Sequence, residues 1–460
     1  MRRLLTGGVT VLAVLLAAGC STRSDDDTGS TPRNSPTAQE SQATSSDFGT
    51  LRDVCGPGVA GKSSVQGVRD DKIQVGVFSD VGFTKKSEFV DAAKVFTSWC
   101  NDAGGINGRE LEAVSRDTRF MEVRQRTLDA CREDFALVGG GAAMDSLGVK
   151  DRLKCLLPNF PAQASQIGAI GSDLQVIGSQ PAAGYFQYSG YYNWLLKEKH
   201  PGSAQKVGVI AGDTPVTKVM SAQFEEAVTG LGGKVTYTDL YPASGVSDWT
   251  PYAQAIKKEG VRGLVFLGDF ASLAKLEQAL TGIDYAPDWI DANSNAYGPA
   301  FPQLAGTALA EQHNYAELFA TAPLESAADN PATQKTIDLF EKYAPDKEVT
   351  YPVLRAFSAW LLFATSARDC ATLTRACVYE NARKHTDWTA GGLQAPFDLT
   401  SKEPGTCFWV VEATEKGWQS ADFKPDKGAF RCDGAVYKYK NDYGKPATLA
   451  SVGKSMSDLT

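Results

Sequence analysis

From residue 72 the chain alternates short apolar runs with amphipathic stretches. KIQVGVFSD at 72–80 reads as a buried strand. Behind it Phe89, Ala92, Ala93, Phe96, Trp99, Cys100 and Ala103 recur at i, i+3, i+4, i+7 spacing, the apolar face of a helix. RELEAVSRD at 109–117 then alternates like a half-buried strand. The same reading gives a helix at 123–135, strands at 135–141 and 155–160 around a helix at 145–154, a further strand at 173–179, and a long helix at 184–200. The pattern restarts with strands at 205–213, 234–241, 261–269 and 288–294, separated by helices that include 270–280. Residues 331–385 are mainly helical and 396–440 read as strands and loops. Such alternation means βαβ units and parallel sheets, and two successive sets predict an α/β protein of two doubly wound lobes.

Between the first helix and the second strand stands AGGINGR. Gly104 or Gly105 can take the left-handed conformation that ends a helix, with Ile106 covering the last turn. Asn107-Gly108 then supplies positive φ for a tight reversal into the strand.

In an open parallel sheet, ligands bind beyond the carboxyl ends of the strands. Here those ends read FSDVGF (78–83), VGGGAAMDS (138–146), AGDTPV (211–216), LGDF (267–270) and DANSN (291–295). Two facing lobes direct them into one cleft. The glycines of VGGGAAM let a backbone approach a ligand, and the helix that follows favours an anionic group. The candidate contacts are Ser79, Asp80, Phe83, Gly141, Ala142, Ala143, Met144, Asp213, Thr214, Asp269, Phe270 and Asn293. Tyr185, near the start of its helix, joins them, whereas the other aromatics at 186–194 read as core.

The N-terminus changes the setting. Arg2 and Arg3 precede an apolar run of about fifteen residues, too short for a good membrane span and right for a signal peptide. Ala17-Ala18-Gly19 stand directly before Cys20, a lipobox-like order that makes 1–19 a cleaved signal and Cys20 the lipidated N-terminus. The bland alternative is an ordinary secretory signal with an incidental cysteine. Residues 21–50 are mostly Ser, Thr, Asp and Pro, so 20–54 reads as a lipid anchor and disordered tether spanning roughly 30 Å.

Export makes sense of the cysteines. Nine minus Cys20 leaves eight, an even number for an oxidising compartment, with 105 pairings open. Proximity suggests Cys370 with Cys377 and Cys407 with Cys432; Cys131 and Cys155 flank one unit, which leaves Cys55 for Cys100. Residues seven apart in one helix lie about 10.5 Å apart, beyond disulfide reach, so DCATLTRAC breaks one helix and starts another with Thr374 as N-cap.

Composition is ordinary for a globular protein, 43% apolar and 22% charged. A net charge of −8 without a basic run speaks against nucleic acid as partner. GPGVAGKS at 56–63 fits a phosphate-loop pattern, but no buried strand precedes it and no convincing helix follows. The three histidines, His200, His313 and His385, have no zinc spacing, no nucleophile elbow occurs, and neither a metal nor a cofactor is expected. Asp80, Asp213 and Asp269 at strand ends serve ligand binding or capping as well as they serve acid/base chemistry.

The stretches IQVGVFSD, FTSWCNDAGGINGRELEAVSRD, GVSDWTPYAQAIKKEGVRGLVFLGD and GLQAPFDLTSKEPGTC carry a resemblance across roughly residues 50–440. The chain resembles substrate-binding lipoproteins of the type I periplasmic-binding fold, in particular the branched-chain-amino-acid-type receptors of ABC importers in their actinobacterial form. The resemblance implies a non-enzymatic monomer of two lobes joined by a multi-strand hinge, closing on a small solute and passing it to a membrane permease. It divides the chain into lobe 1 (55–190), lobe 2 (191–312), a return to lobe 1 (313–395) and a C-terminal segment (396–460) completing lobe 2 and ending in a tail. In that family the loop after the third strand offers hydroxyl and N–H groups to a ligand carboxylate; here Ala142, Ala143 and Met144 stand where Ser or Thr is usual. Asp269 stands for the acid that holds an ammonium, and Phe270 for the aromatic lid. An amino acid, amide or less polar carboxylate is the expected solute. The rival readings are a sensory lipoprotein and a secreted hydrolase.

Overall fold

The computed structural model describes residues 45–179 and 182–459. The signal-like segment, Cys20 and the tether up to residue 44 lie outside the described residues. Among the described residues no helix is long and apolar enough to cross a membrane.

The first sheet contains β1 (Lys72–Ser79), β2 (Glu110–Asp117), β3 (Leu137–Val138) and β4 (Asn159–Phe160), all parallel, in the order β2-β1-β3-β4. β5 (Tyr185–Phe186) stands apart from it. The second sheet begins with β6 (Val207–Gly212), β7 (Val235–Tyr241), β8 (Gly263–Leu267), β9 (Trp289–Asp291) and β10 (Asn314–Glu317), which are parallel. β11 (Val410–Thr414) and β12 (Gly417–Ser420) add an antiparallel hairpin, giving the order β12-β11-β10-β9-β8-β6-β7. The last strand, β13 (Tyr437–Lys438), pairs antiparallel with β5. Each of these two sheets is the centre of one lobe.

Three sequence-level expectations meet their physical limits here. Residues 173–179 form no strand; Gln175 makes only an isolated bridge to Asn159. The helix expected over 184–200 starts at Ser189, because Tyr185 and Phe186 pair with Lys438 and Tyr437, some 250 residues away in the sequence. Residues 45–54, assigned by composition to the tether, are pinned to lobe 1. Phe48 and Val54 are fully buried, the Trp99 indole N–H donates to the Ser45 carbonyl at 3.2 Å, and Thr50 N–H to that of Gly391 at 2.9 Å.

The reversal at AGGINGR forms as its residues dictate. Gly104 and Gly105 have φ of 103° and 72°, Asn107 and Gly108 of 51° and 83°, and Ile106 and Arg109 exchange backbone hydrogen bonds at 2.8 and 3.0 Å. The 56–63 string runs irregularly alongside, with no helix after it. The helix Tyr351–Arg368 ends before Cys370, and Thr374 accepts the Cys377 N–H to cap the helix Arg375–Ala382. Four disulfides join Cys55–Cys100, Cys131–Cys155, Cys370–Cys377 and Cys407–Cys432.

The chain crosses between lobes in segments laid side by side. Thr321 and Gln394 bridge antiparallel, and the Gln394 amide donates to the Gly178 carbonyl at 2.6 Å. Glu226, on the helix Pro215–Gly230, gathers the Lys440 and Asn441 N–H groups and the Tyr437 and Tyr443 hydroxyls, which fastens β13 and its exit to lobe 2. Beyond that point the chain recrosses to lobe 1, where Ala447 N–H donates to Gly168 and Leu449 N–H to the Asp173 carboxylate. Within the C-terminal segment, β11 and β12 join the lobe 2 sheet, and the tail ends against lobe 1. β10 likewise belongs to the second sheet, so the return to lobe 1 begins after Glu317.

Two tests follow from the core. Cys55–Cys100 closes a segment with a sequence separation of 45, Cys370–Cys377 one of 7. Loop-closure entropy then assigns about 4 and about 2 kcal/mol to them. Paired Cys→Ser replacement should lower the melting temperature more for the first than for the second; the reverse order in calorimetry would contradict this. The second test is pH. Burial pushes the Asp145 carboxyl up to about 7 against the N–H donors of Ser165, Gln166 and Ser146, and Asp291 up to about 6. Burial also raises Glu277 and Glu317 well above the usual carboxylate range. These acids keep a proton in the folded chain where the unfolded chain, with Asp near 3.8 and Glu near 4.5, has lost it. Stability therefore falls as pH rises through that window, by about 1.4 kcal/mol per unit for each such acid. His200, lowered by burial from 6.5 to about 4, works the other way. The melting temperature should drop between about pH 5 and pH 7, and Glu277→Gln should flatten the drop. A flat or rising wild-type profile would refute it.

Candidate functional site

A cleft of about 240 Å³ lies between the lobes. Four of the five strand-end loops reach it: Ala143 from the loop after β3, Val216 from that after β6, Leu267 and Gly268 from that after β8, and residues 293–295 from that after β9. The fifth loop, after β1, works behind the wall. The Asp80 carboxylate accepts the Phe120 N–H at 2.8 Å, the Ala143 N–H at 2.7 Å and the Thr118 hydroxyl. One acid at the end of β1 thus ties down the loops that follow β2 and β3. The N–H of Ala143, which the glycine-rich loop would otherwise offer to an anion, is already taken.

The other expected residues divide sharply. Asn293 and Ala143 line the cleft. Ser79 is buried, its hydroxyl accepting the Val81 N–H at 3.2 Å. Phe83 is exposed and stacks on Phe120 with ring centroids 4.8 Å apart. Gly141 and Ala142 border a small recess inside lobe 1. Asp213 pairs with Lys218 at 2.5 Å and Thr214 caps its helix through Thr217, so the cleft receives the following residues, Val216, Thr217 and Met220. Asp269 caps the helix Phe270–Thr281 by accepting the Ser272 N–H at 3.1 Å. Tyr185, in β5, carries the Lys438 ammonium over its ring at 5.6 Å, while Gln187 and Tyr188 face the cleft.

Three expected residues serve the seam between lobes. Met144 and Ala142 pack with Val123 on one side and Val216 on the other, with Met220 beside them. Lys86 of lobe 1 places its ammonium 4.2 Å from the centre of the Phe270 ring of lobe 2.

Sequence reasoning missed the hinge side of the cleft, formed by Ser179, Gln187, Phe319, Tyr351 and Arg355. Arg355 is only 8% exposed. Its Nε donates to the Ala162 carbonyl at 3.2 Å, Nη1 to the Ser179 hydroxyl, and Nη2 to the Ser179 carbonyl at 3.2 Å. The rings of Phe319 and Tyr351 lie 5.9 and 6.0 Å from it. Burial raises the Tyr351 phenol to about 12, with Arg355 pulling the other way. A signal was present, since Arg355 is the one charge inside an otherwise apolar stretch from 351 to 367. Among the described residues no acid or histidine lines the cleft, and no cluster of His, Cys, Asp and Glu is placed to hold a metal ion.

Comparison with known proteins agrees with this architecture. The fold is similar to that of a fatty acid ABC transporter substrate-binding protein from Thermomonospora curvata, with a TM-score of 0.65 at 19% identity over 84% of this chain and 97% of that one. It is similar to a leucine binding protein, LivK, from Thermotoga maritima, with a TM-score of 0.63 at 15% identity over 79% and 98%. It also resembles the branched-chain amino acid transporter substrate binding protein LivJ from Streptococcus pneumoniae in complex with isoleucine, with a TM-score of 0.59 at 16% identity over 76% and 99%. No curated protein sequence matches the chain. The model of the periplasmic binding protein family matches residues 166–418, more than half the chain. With two βα lobes, a multi-strand hinge and a cleft between them, the chain belongs to the periplasmic binding protein family.

Proposed function

We propose that the chain is the solute-binding lipoprotein of an ABC importer. In this reading residues 1–19 are removed as a signal, Cys20 is lipidated on the outer face of the cytoplasmic membrane, and the folded part acts as a monomer. It captures one small solute, an amino acid or a related amide or carboxylate, and presents it to a permease. The observation that carries the reading is the cleft itself, bounded by strand-end loops of both lobes, so that closure surrounds whatever lies between them. By comparison with a cavity of about 150 Å³ that admits benzene, this one suits a solute on the order of ten non-hydrogen atoms. The names of structurally similar proteins, for fatty acids, leucine and isoleucine, support the same size class. A hydrolase reading finds no support in a cleft wall whose described residues include neither acid nor histidine.

The test is a thermal-shift and calorimetric screen of the full chain against amino acids, organic acids and amides. A true solute at a hundred times its Kd stabilises by about 2.7 kcal/mol, a shift of roughly one or two degrees for a protein of this size. Ala143→Trp, which fills the cleft from lobe 1, should abolish the shift while leaving the melt cooperative. Saturable one-to-one binding that survives Ala143→Trp would move the site elsewhere. A folded chain that binds nothing in the screen would overturn the reading.

A further inference from the structure

We infer that the solute is a monocarboxylate with an apolar body and no ammonium group, and that Arg355 receives its carboxylate. The inference rests on the proposed function and narrows it. Three observations converge on it: the fate of the glycine-rich loop, the charge of the cleft wall, and the environment of one arginine.

The loop after β3 offers an anion neither a side-chain donor nor the Ala143 N–H. The side chains at Ala142, Ala143 and Met144 carry no donors, and the Ala143 N–H is held by Asp80 at 2.7 Å. An incoming carboxylate would meet the Asp80 carboxylate there, a like charge at close range. The ammonium of an α-amino acid fares no better. Asp213 and Asp269 are spent on Lys218 and on a helix cap, and neither borders the cleft. Glu317, near the hinge, is fully buried and accepts the Phe319 N–H at 2.9 Å. Burial raises its carboxyl well above the usual range, with Arg355 pulling the other way, and it does not border the cleft.

Arg355 is the only charged side chain among the described residues that line the cleft. Among the other arginines, buried Arg109 donates to the Arg69 and Gly61 carbonyls, and buried Arg152 and half-buried Arg375 show fuller sets of structural contacts. Arg152 makes four contacts, to the carbonyls of Leu157, Leu174 and Asp173 and the Ser172 hydroxyl. Arg375 likewise donates to four carbonyls. Neither borders the interlobe cleft. Arg355 makes three contacts, all to neutral oxygens, and forms no ion pair with a described acid. A guanidinium has five N–H donors, so these three contacts leave two for an arriving anion or for the Tyr351 hydroxyl beside it. The rest of the wall includes Phe89, Ile177, Val216, Met220, Phe224 and Leu267, a surface for a hydrocarbon body.

The experiment compares matched solutes on the full chain by isothermal titration calorimetry. The probes are octanoate and 3-phenylpropanoate, their primary amides, and leucine. Each acid should bind one per chain, and its amide roughly a hundredfold more weakly. Leucine should bind at least tenfold more weakly than either acid. Arg355→Gln should cost the acids about a hundredfold while changing amide affinity little. Because Arg355 also ties Ala162 to Ser179, a second variant guards against a folding defect. Asn295→Asp adds a negative charge to the cleft wall and should weaken the acids at least tenfold more than it weakens their amides.

Leucine binding tightly where both acids fail would overturn the inference and leave the solute-binding reading standing. Equal affinity for acid and amide, or unchanged acid affinity in a folded Arg355→Gln chain, would overturn it too. A folded wild-type chain that ignores these probes refutes the inference alone; one that also ignores the broader screen refutes the proposed function with it.

Discussion

The architecture of the cleft depends on one carboxylate that never enters it. Asp80 ends β1, the central strand of lobe 1, and collects donors from the loops after β2 and β3. A carboxylate that accepts several N–H and O–H groups is well satisfied inside a protein, and it holds those groups in fixed positions. The lobe 1 wall is therefore set before any solute arrives. The same contact removes a backbone donor from the loop that would otherwise face an anion. Whatever charge recognition the cleft performs must come from another element, and the hinge-side helix Tyr351–Arg368 brings the only charge to the described wall.

Closure has its own chemistry. Met144 and Ala142 meet Val216 across the seam, and Lys86 meets the Phe270 ring. These contacts join lobe to lobe directly, so they favour the closed arrangement independently of solute. A solute can shift the equilibrium only by its own differential affinity for the closed state. Apolar contact at the seam therefore lowers the amount of solute binding energy that closure requires. Glu226 and the paired segments at Thr321 and Gln394 hold the crossing chains in register.

Much of this was legible in the sequence, and the failures have common causes. Periodicity revealed both βα sets because buried parallel strands are continuous apolar runs. AGGINGR and Thr374 were readable because glycine, asparagine and threonine act on their immediate neighbours. The β5–β13 pair was invisible because each partner is two residues long and the other lies far along the chain. At the strand ends the loops were right and the residues often wrong. Asp213, Thr214 and Asp269 fall at helix starts, where a side-chain oxygen serves the first backbone N–H groups or a nearby lysine. The cleft receives residues one to three positions away. Phe48 shows the opposite error, a single aromatic in a polar run that composition averages away.

Arg355 illustrates why an isolated charge in an apolar helix carries information that no motif does. A buried cation without a paired anion is costly, and evenly spaced carbonyl acceptors relieve only part of that cost. Arg152 and Arg375 reach four acceptors each and stay within lobe 1, where they brace loops. Arg355 reaches three and stands at the junction of helix, hinge and cleft, its face flanked by Phe319 and Tyr351. Those rings keep bulk water from screening it, which strengthens any charge contact made on its open edge. Glu317, the acid whose carboxyl feels Arg355, is buried outside the cleft wall, and no ion pair joins the two. The residual positive charge is thus best understood as half of an interaction whose other half arrives with the solute.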